Sequence, residues 1–118
     1  MEKVILSEKF SLFSEHWSPK IVGELNDDYI KVAKVQGEFV WHQHDNEDEM
    51  FFIHKGRLLI KFRDKDVWLG QGEFLIIPKG VEHKPVAGEE VELILIEPKT
   101  ITNTGDTQSE LTTETEWL

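Results

Sequence analysis

From Tyr29 onward, apolar and β-branched residues alternate with polar ones, and glycines or acidic clusters interrupt the pattern at short intervals. Alternation with a period of two is typical of strands that bury one face. Residues 57–63 show it most clearly, because Leu58, Ile60 and Phe62 fall on one face. The pattern predicts strands over the following residues: 30–35, 39–44, 49–54, 57–63, 67–69, 74–77, 83–87 and 91–97.

Turn signals separate these segments. Polar residues occupy 45–48 and 64–66, and turns that contain glycine lie at 70–72 and 78–80. Gly37 is predicted to form a bulge or bend between the first two strands. Many short strands with such turns favour an antiparallel sandwich or a small barrel, and no long helical pattern competes with that interpretation.

The residues before the alternating region, 1–28, are predicted to form an irregular arm. Ser7 is a candidate cap for a short helical turn that runs through Phe13. Pro19 ends any helix in the arm, because proline lacks a backbone N–H donor. Apolar residues of the arm either cover an edge or end of the sheet or lie in a subunit interface: Trp17, Ile21 and Val22.

The chain of 118 residues fits one domain, with the arm at 1–28, the strands at 29–98 and a polar tail at 99–118. The tail is rich in Thr and Glu, which is typical of disorder. The alternative is that Trp117 and Leu118 hold it against the body of the domain.

Charge and composition exclude several functions. The net charge is −10, and nucleic acids and anionic membranes both require a basic surface. The chain has no cysteine, so disulfides and thiolate metal sites are excluded and a metal would bind to nitrogen and oxygen. The first residues lack the long apolar core of a signal peptide, and no segment is apolar enough to span a membrane. We therefore expect a cytoplasmic protein.

His42 and His44 are the first candidates for chemistry. Residues i and i+2 of a strand project from the same face, so the two imidazoles lie side by side and provide half of a metal site. The alternative interpretation is that both are ordinary surface histidines.

Glu49 begins the next strand, after the polar turn at 45–48. If the turn folds the chain back, Glu49 lies beside the two histidines and shares the interior face with Phe51 and Ile53. A charge on that face needs a partner, which is either a divalent cation or an ordinary salt bridge. The neighbouring carboxylates compete for the same role: Glu47 and Asp48.

His83 follows the tight turn at 78–80, which presents it at a barrel mouth or holds it as a hydrogen-bonded turn residue. Strict alternation places His54 on the face opposite Glu49, and His16 lies in the arm. Neither of these two is expected to be a ligand.

The chain resembles a small single-domain member of the cupin superfamily, through two motifs that together span about residues 37–87. The first motif is His-x-His, four residues, Glu, six residues and Gly; its positions here are His42, His44, Glu49 and Gly56. The second is Gly, five residues, Pro-x-Gly, two residues and His; its positions here are Gly72, Pro78, Gly80 and His83.

The resemblance implies a jelly-roll β-barrel in which four side chains converge on a metal: His42, His44, Glu49 and His83. It also implies a homodimer. Two positions depart from the family pattern. Gly37 lies one residue closer to His42 than usual, and Ala87 replaces an asparagine. Neither position is a ligand, so the implied metal site is unaffected.

Three neutral imidazoles and one carboxylate leave a divalent ion with a net charge of about +1 and, if the ion is octahedral, with up to two open positions for a substrate. Fe, Mn, Ni, Zn and Cu all suit these ligands. The sequence thus favours a metal-dependent enzyme acting on a small oxygenated molecule, as a dioxygenase or a sugar isomerase does. The alternatives are a metal-containing module that binds or senses a small ligand without turnover, and a structural barrel with an incidental metal.

Side chains around this site are assigned by the same alternation. The interior candidates, as core or as pocket walls, are Phe51, Ile53, Leu58, Ile60 and Phe62. Two tryptophans are expected outside, at the sheet surface or an interface: Trp41 and Trp68. Lys79 and Glu82 flank His83 and are either ligand contacts or solvated loop charges.

Overall fold

The computed structural model describes all residues, 1–118, and they are almost entirely β-structure. The elements are α1 (Leu6–Phe10), β1 (Lys20–Leu25), β2 (Asp28–Glu38), β3 (Glu49–Lys55), β4 (Leu58–Phe62), β5 (Asp66–Leu69), β6 (Phe74–Ile77), β7 (His83–Pro98) and β8 (Glu116–Trp117). The strands pair in the order β5-β4-β7-β2-β1-β8, and β3 pairs with both β6 and β7. This is the predicted antiparallel jelly-roll barrel, with unpaired edges at β5, β6 and β8.

Strand β7 organises the barrel, because it pairs with β4 near its start, with β3 near its end and with β2 along most of its length. The sequence predicts two strands here, at 83–87 and 91–97, whereas the structure has one continuous strand of 16 residues. The separating residues 88–90 are exposed, but β2 continues on both sides of them with a register shift between Val35 and Gly37. The predicted bulge at Gly37 is confirmed.

The barrel interior follows the predicted alternation. The inward residues of β3 and β4 are fully or almost fully buried: Phe51, Ile53, Leu58 and Ile60. Phe62 is only partly buried and packs at the border of this core. A second, smaller core lies where α1 covers the outer face of the sheet, and it consists of Phe10, Phe13, Val32 and Ile94. Apolar burial on both faces of β2 and β7 therefore fixes the arm to the barrel.

Two predictions for the arm are wrong. Residues 20–25 are not irregular, since they form β1, which buries Ile21 and pairs antiparallel with β2. Ser7 does not cap the helix; it lies inside α1, and Ile5 occupies the N-cap position without a side-chain hydrogen bond. The helix is positioned instead by burial of Phe10, whose ring lies 6.1 Å from that of Phe13.

The predicted strand at 39–44 is also wrong. Gly37 has a φ of 84°, and β2 ends at Glu38, so the chain leaves the sheet after the bulge. His42 alone forms a β-bridge in this segment, through two backbone hydrogen bonds with His83 of 3.0 and 2.9 Å.

The tail is packed against the body, as the second interpretation of 99–118 predicts. β8 pairs in parallel with β1, and the Leu118 amide donates to the Ile21 carbonyl at 3.0 Å. Gly105 has a φ of 58°, and a Cβ there would lie 2.2 Å from the Gln43 carbonyl oxygen. Only glycine allows the tail to approach the 39–44 segment so closely.

No helix of the structure is long and apolar enough to cross a membrane. Phe74 and Ile76 are exposed on the edge strand β6, next to Met50 and Phe52 of β3. The homodimer stays a prediction, and this edge is an apolar surface available for it.

Candidate metal centre

Three parts of the barrel supply the candidate ligands. His42 and His44 lie in the segment between β2 and β3, Glu49 begins β3, and His83 begins β7. Although 39–44 is not a strand, the rings of His42 and His44 lie side by side as predicted, with centroids 5.2 Å apart, and both side chains are buried. The backbone pairing between His42 and His83 brings their ring centroids to 4.3 Å.

The structure brings all four predicted side chains together. One ligand atom from each of His42, His44, Glu49 and His83 lies within 4.8 Å of every other. Glu49 Oε1 is 3.5 Å from His44 Nε2 and 3.4 Å from His83 Nε2. Donors that share one ion at zinc–nitrogen distances would be about 3.0 Å apart in an octahedral arrangement and about 3.3 Å apart in a tetrahedral one, so these separations are close to those around a common ion.

Hydrogen bonds from the ring nitrogen that points away from the cluster orient two of the imidazoles. His42 Nδ1 lies 2.9 Å from the Val40 carbonyl oxygen, and His83 Nδ1 lies 2.9 Å from that of Val81. A carbonyl only accepts, so each Nδ1 carries the ring proton and each Nε2 presents a lone pair. Such bonds from the non-ligating nitrogen are the usual partners of metal-bound histidines.

Unpaired polar atoms show that the cluster fits a cation. His44 Nε2, His83 Nε2 and Glu49 Oε1 are buried and have no hydrogen-bond partner. Leaving such atoms unpaired in an apolar interior costs about 1–3 kcal/mol each. A divalent cation would satisfy all three at once, which a hydrogen bond between any two of them would not do.

The electrostatics keep His42 and Glu49 in the forms that bind a cation. Burial, helped by the neighbouring His83, lowers the pKa of His42 to about 4, so this ring is neutral at pH 7. Burial alone would raise the pKa of Glu49, but the close imidazoles of His44 and His83 outweigh it and hold that pKa well below its usual value. For His44, the neighbouring Glu49 outweighs burial and raises the pKa, which favours a ring proton that a bound cation would replace.

A narrow cavity opens beside the cluster. Its volume is about 40 Å³, and its walls include His42 and Glu49. Most of its other walls are apolar, and at one of them Trp17 stacks on Phe39 with ring centroids 4.6 Å apart. This cavity is therefore small and mostly apolar.

Sequence reasoning missed Trp17 as a cavity wall. It has a φ of 59°, which is rare for a residue other than glycine. The Trp17 amide donates to the Lys34 carbonyl at 2.9 Å, and its indole Nε1 donates to the Gln36 carbonyl at 2.9 Å. No local pattern signals this, because Trp17 reaches the cavity through contacts with distant residues: the backbone of β2, the ring of Phe39 and the side chain of Asn103.

Sequence reasoning also missed Glu97, which lines the same cavity and is buried. Here a signal existed, because Val91, Leu93, Leu95 and Glu97 alternate along β7 and share the inner face. Burial and the negative charge of Glu49 raise the pKa of Glu97 well above its usual value.

The competing residues lie outside the cluster. Asp48 accepts a hydrogen bond from the Lys79 amide, and Glu47 accepts one from the Thr100 hydroxyl. His16 pairs with Glu90, and His54 pairs with Glu92 on the outer face, as the alternation predicts.

The flanking residues also lie away from the cluster. Glu82 pairs with Arg63 near the surface, and the Lys79 side chain is exposed. Trp68 is exposed beneath Arg57, and Trp41 packs under Arg63, so both tryptophans lie outside the core.

Comparison with known proteins identifies the family. The family model of the cupin domain matches residues 29–97, so the chain belongs to the cupin family. A cupin-2 domain containing protein from Shewanella frigidimarina NCIMB 400 is 51% identical, with a TM-score of 0.81 over 81% of this chain and 94% of that one.

Two curated relatives match over shorter regions. The uncharacterized protein YdbB of Bacillus subtilis is 41% identical over 53% of this chain and 57% of its own length. The putative dioxygenase SSO1533 of Saccharolobus solfataricus is 27% identical over 52% of this chain. That match spans only 16% of the relative, so it concerns one part of a longer protein.

The cluster predicts that His44→Ala lowers the affinity for Zn²⁺ or Co²⁺ at least about 100-fold, because one of four converging donors is lost. His54→Ala is the matched control, because it removes a partly buried histidine of β3 that faces away from the cluster. The metal affinity of this variant should stay within about twofold of the wild-type value. Competition with a chromophoric chelator measures both. Equal losses in the two variants would contradict the assignment.

The metal-free protein should lose stability in acid through His42. Its pKa is about 4 when folded and 6.5 when unfolded, so the unfolded chain takes up the proton first as pH falls. The stabilisation is complete above pH 6.5 and disappears towards pH 4, which amounts to about 2–3 kcal/mol between pH 7 and 4.5. Urea unfolding with a chelator present should show a smaller loss in His42→Gln. An equal loss in both proteins would refute this.

Proposed function

We propose that the protein is a metal-dependent enzyme that acts on a small oxygenated molecule, in the manner of a dioxygenase or a sugar isomerase. One observation carries the proposal: a cluster of three imidazoles and one carboxylate, with buried unpaired donor atoms, lies at the wall of a largely apolar cavity. A buried donor set beside a cavity is the arrangement expected of a catalytic metal site rather than a closed structural one.

The donor set fits a divalent ion such as Fe, Mn, Ni, Zn or Cu, held by His42, His44, Glu49 and His83. When bound, such an ion would act as a Lewis acid towards a substrate oxygen or, as iron, support dioxygen chemistry.

The chain itself supplies orientation and a dry environment. The Val40 and Val81 carbonyls fix the rings of His42 and His83, so little reorganisation is needed when a ligand arrives. The stacked rings of Trp17 and Phe39 form an apolar part of the cavity wall. Because the four donors are buried, charge interactions in the site are stronger than they would be at the surface.

The relative described as a putative dioxygenase supports the enzyme hypothesis, although the match covers only part of that protein. The small cavity instead favours the second candidate, a module that binds or senses a small ligand without turnover. Both candidates require the same metal and a ligand position beside it. They differ in whether the bound molecule reacts.

Nitric oxide tests the open position, because it binds Fe²⁺ only where a coordination position is free. Protein loaded anaerobically with one equivalent of Fe²⁺ should give the spin-3/2 electron paramagnetic resonance signal of an iron–nitrosyl centre. His54→Ala should give the same signal. The double variant His42→Ala/His44→Ala, given the same amount of iron, should give only the signal of unbound iron, which ultrafiltration removes from the protein.

A full equivalent of bound iron without the nitrosyl signal would mean a closed site and would refute the enzyme hypothesis. The signal together with dioxygen uptake on addition of a catechol or another small hydroxylated compound would favour a dioxygenase. The signal without turnover of any compound by the Fe²⁺, Mn²⁺ or Zn²⁺ forms would favour the binding module.

A further inference from the structure

A buried ion pair lies beside the candidate metal centre and supplies none of its four ligands. Lys31 Nζ is 2.8 Å from Glu97 Oε1, and both side chains are only 2% exposed. Burying two charges costs several kcal/mol per ion, and apolar residues at the same positions would stabilise a barrel equally well or better. The pair therefore calls for a reason other than stability.

The strand register places this pair beside Glu49. Met50 of β3 pairs with Ile96 of β7, so the next residues outward, Glu49 and Glu97, are cross-strand neighbours on the inner face. Lys31 lies on β2, opposite Leu95, which puts it diagonal to Glu97. The three side chains thus form a charged row across the inner face of three adjacent strands.

Only one oxygen of Glu97 is used by the pair. Lys31 binds Oε1, whereas Oε2 is buried and meets no N–H or hydroxyl donor of the protein; the neighbouring ionisable side chain is the Glu49 carboxyl. Glu97 also lines the cavity whose walls include His42 and Glu49. An unpaired buried oxygen on a cavity wall is costly unless the occupant of the cavity pairs with it.

We propose that Glu97 is a specificity-determining residue: its Oε2 hydrogen-bonds a hydroxyl group of the molecule that the metal centre holds. Lys31 is a positioning residue that fixes the other carboxyl oxygen. This inference rests on the proposed function, which it narrows from a small oxygenated ligand to one with a hydroxyl group beyond the atom that faces the metal.

The side chains of Glu49 and Glu97 favour a hydroxyl group at this point of the ligand. A hydroxyl both donates and accepts, so it pairs with Glu97 whether that carboxyl is charged or neutral. A ligand carboxylate at this point would face two neighbouring carboxyl groups, Glu49 and Glu97. An apolar group would leave Oε2 unpaired.

Two thiols of similar size test the inference, since thiolates bind Co²⁺ directly and give a strong near-ultraviolet absorption. The probes are 2-mercaptoethanol and 1-propanethiol, which differ by a hydroxyl in place of a methyl group. The chain has no cysteine, so neither thiol can form a disulfide with it. Each is titrated anaerobically into Co²⁺-loaded protein, and the ratio of the two Kd values is recorded.

Wild-type protein should bind 2-mercaptoethanol about tenfold more tightly than 1-propanethiol, as one good buried hydrogen bond provides. Lys31→Met/Glu97→Leu should lose this preference while keeping its Co²⁺ content. The double substitution removes both charges together, so no buried ion is left unpaired and the barrel should fold. Glu97→Gln, which retains hydrogen-bonding atoms, should keep part of the preference.

An unchanged Kd ratio in the folded double variant would overturn the inference and leave the ion pair a structural element, with the proposed function intact. A wild-type protein that binds Co²⁺ but neither thiol would overturn both, because the centre would then have no open position. Loss of Co²⁺ from the double variant, with a normal melting temperature, would also overturn it, since Glu97 would then support the metal rather than its ligand.

Discussion

The interior of this barrel contains donor atoms that no protein group satisfies, and that constraint governs the rest of the structure. Imidazole nitrogens and a carboxylate oxygen converge where the surrounding walls are apolar. Each would be hydrogen-bonded to water at the surface, so their burial is favourable only if something else binds them. A divalent cation meets that requirement with the donors as they stand.

The fold supplies the convergence from distant parts of the chain. β7 carries His83 at its start and Glu97 near its end, and it pairs with the strand that Glu49 begins. The bulge at Gly37 releases the chain from β2, which lets His42 pair with His83 instead of continuing the ladder. The barrel thereby holds rigid donors on different elements, which limits the motion that a bound ligand must overcome.

The sequence predicted the barrel and the cluster because both depend on local patterns. Alternation placed Glu49 on the same face as Phe51 and Ile53, and that placement agrees with their burial. It also placed His54 outside. The resemblance to the cupin motifs implied that His83 would join the cluster, which no single strand pattern could have shown.

The features that the sequence did not predict depend on contacts between distant segments. Trp17 reaches the cavity through hydrogen bonds to the backbone of β2, and nothing near Trp17 in the sequence indicates that partner. Glu97 follows the alternation of β7, but its role depends on Lys31 of another strand. The tail is polar in composition, yet it is fixed by a glycine contact with Gln43 and by a short parallel strand.

X-ray absorption of protein loaded with one equivalent of Zn²⁺ tests the central claim most directly, because it reports which atoms surround the ion. The structure predicts nitrogen and oxygen neighbours at about 2.0–2.2 Å, with the multiple-scattering pattern of three imidazoles. That result would establish His42, His44, His83 and Glu49 as the metal site. A shell of oxygens with at most one imidazole would contradict the account, because the ion would then be bound elsewhere.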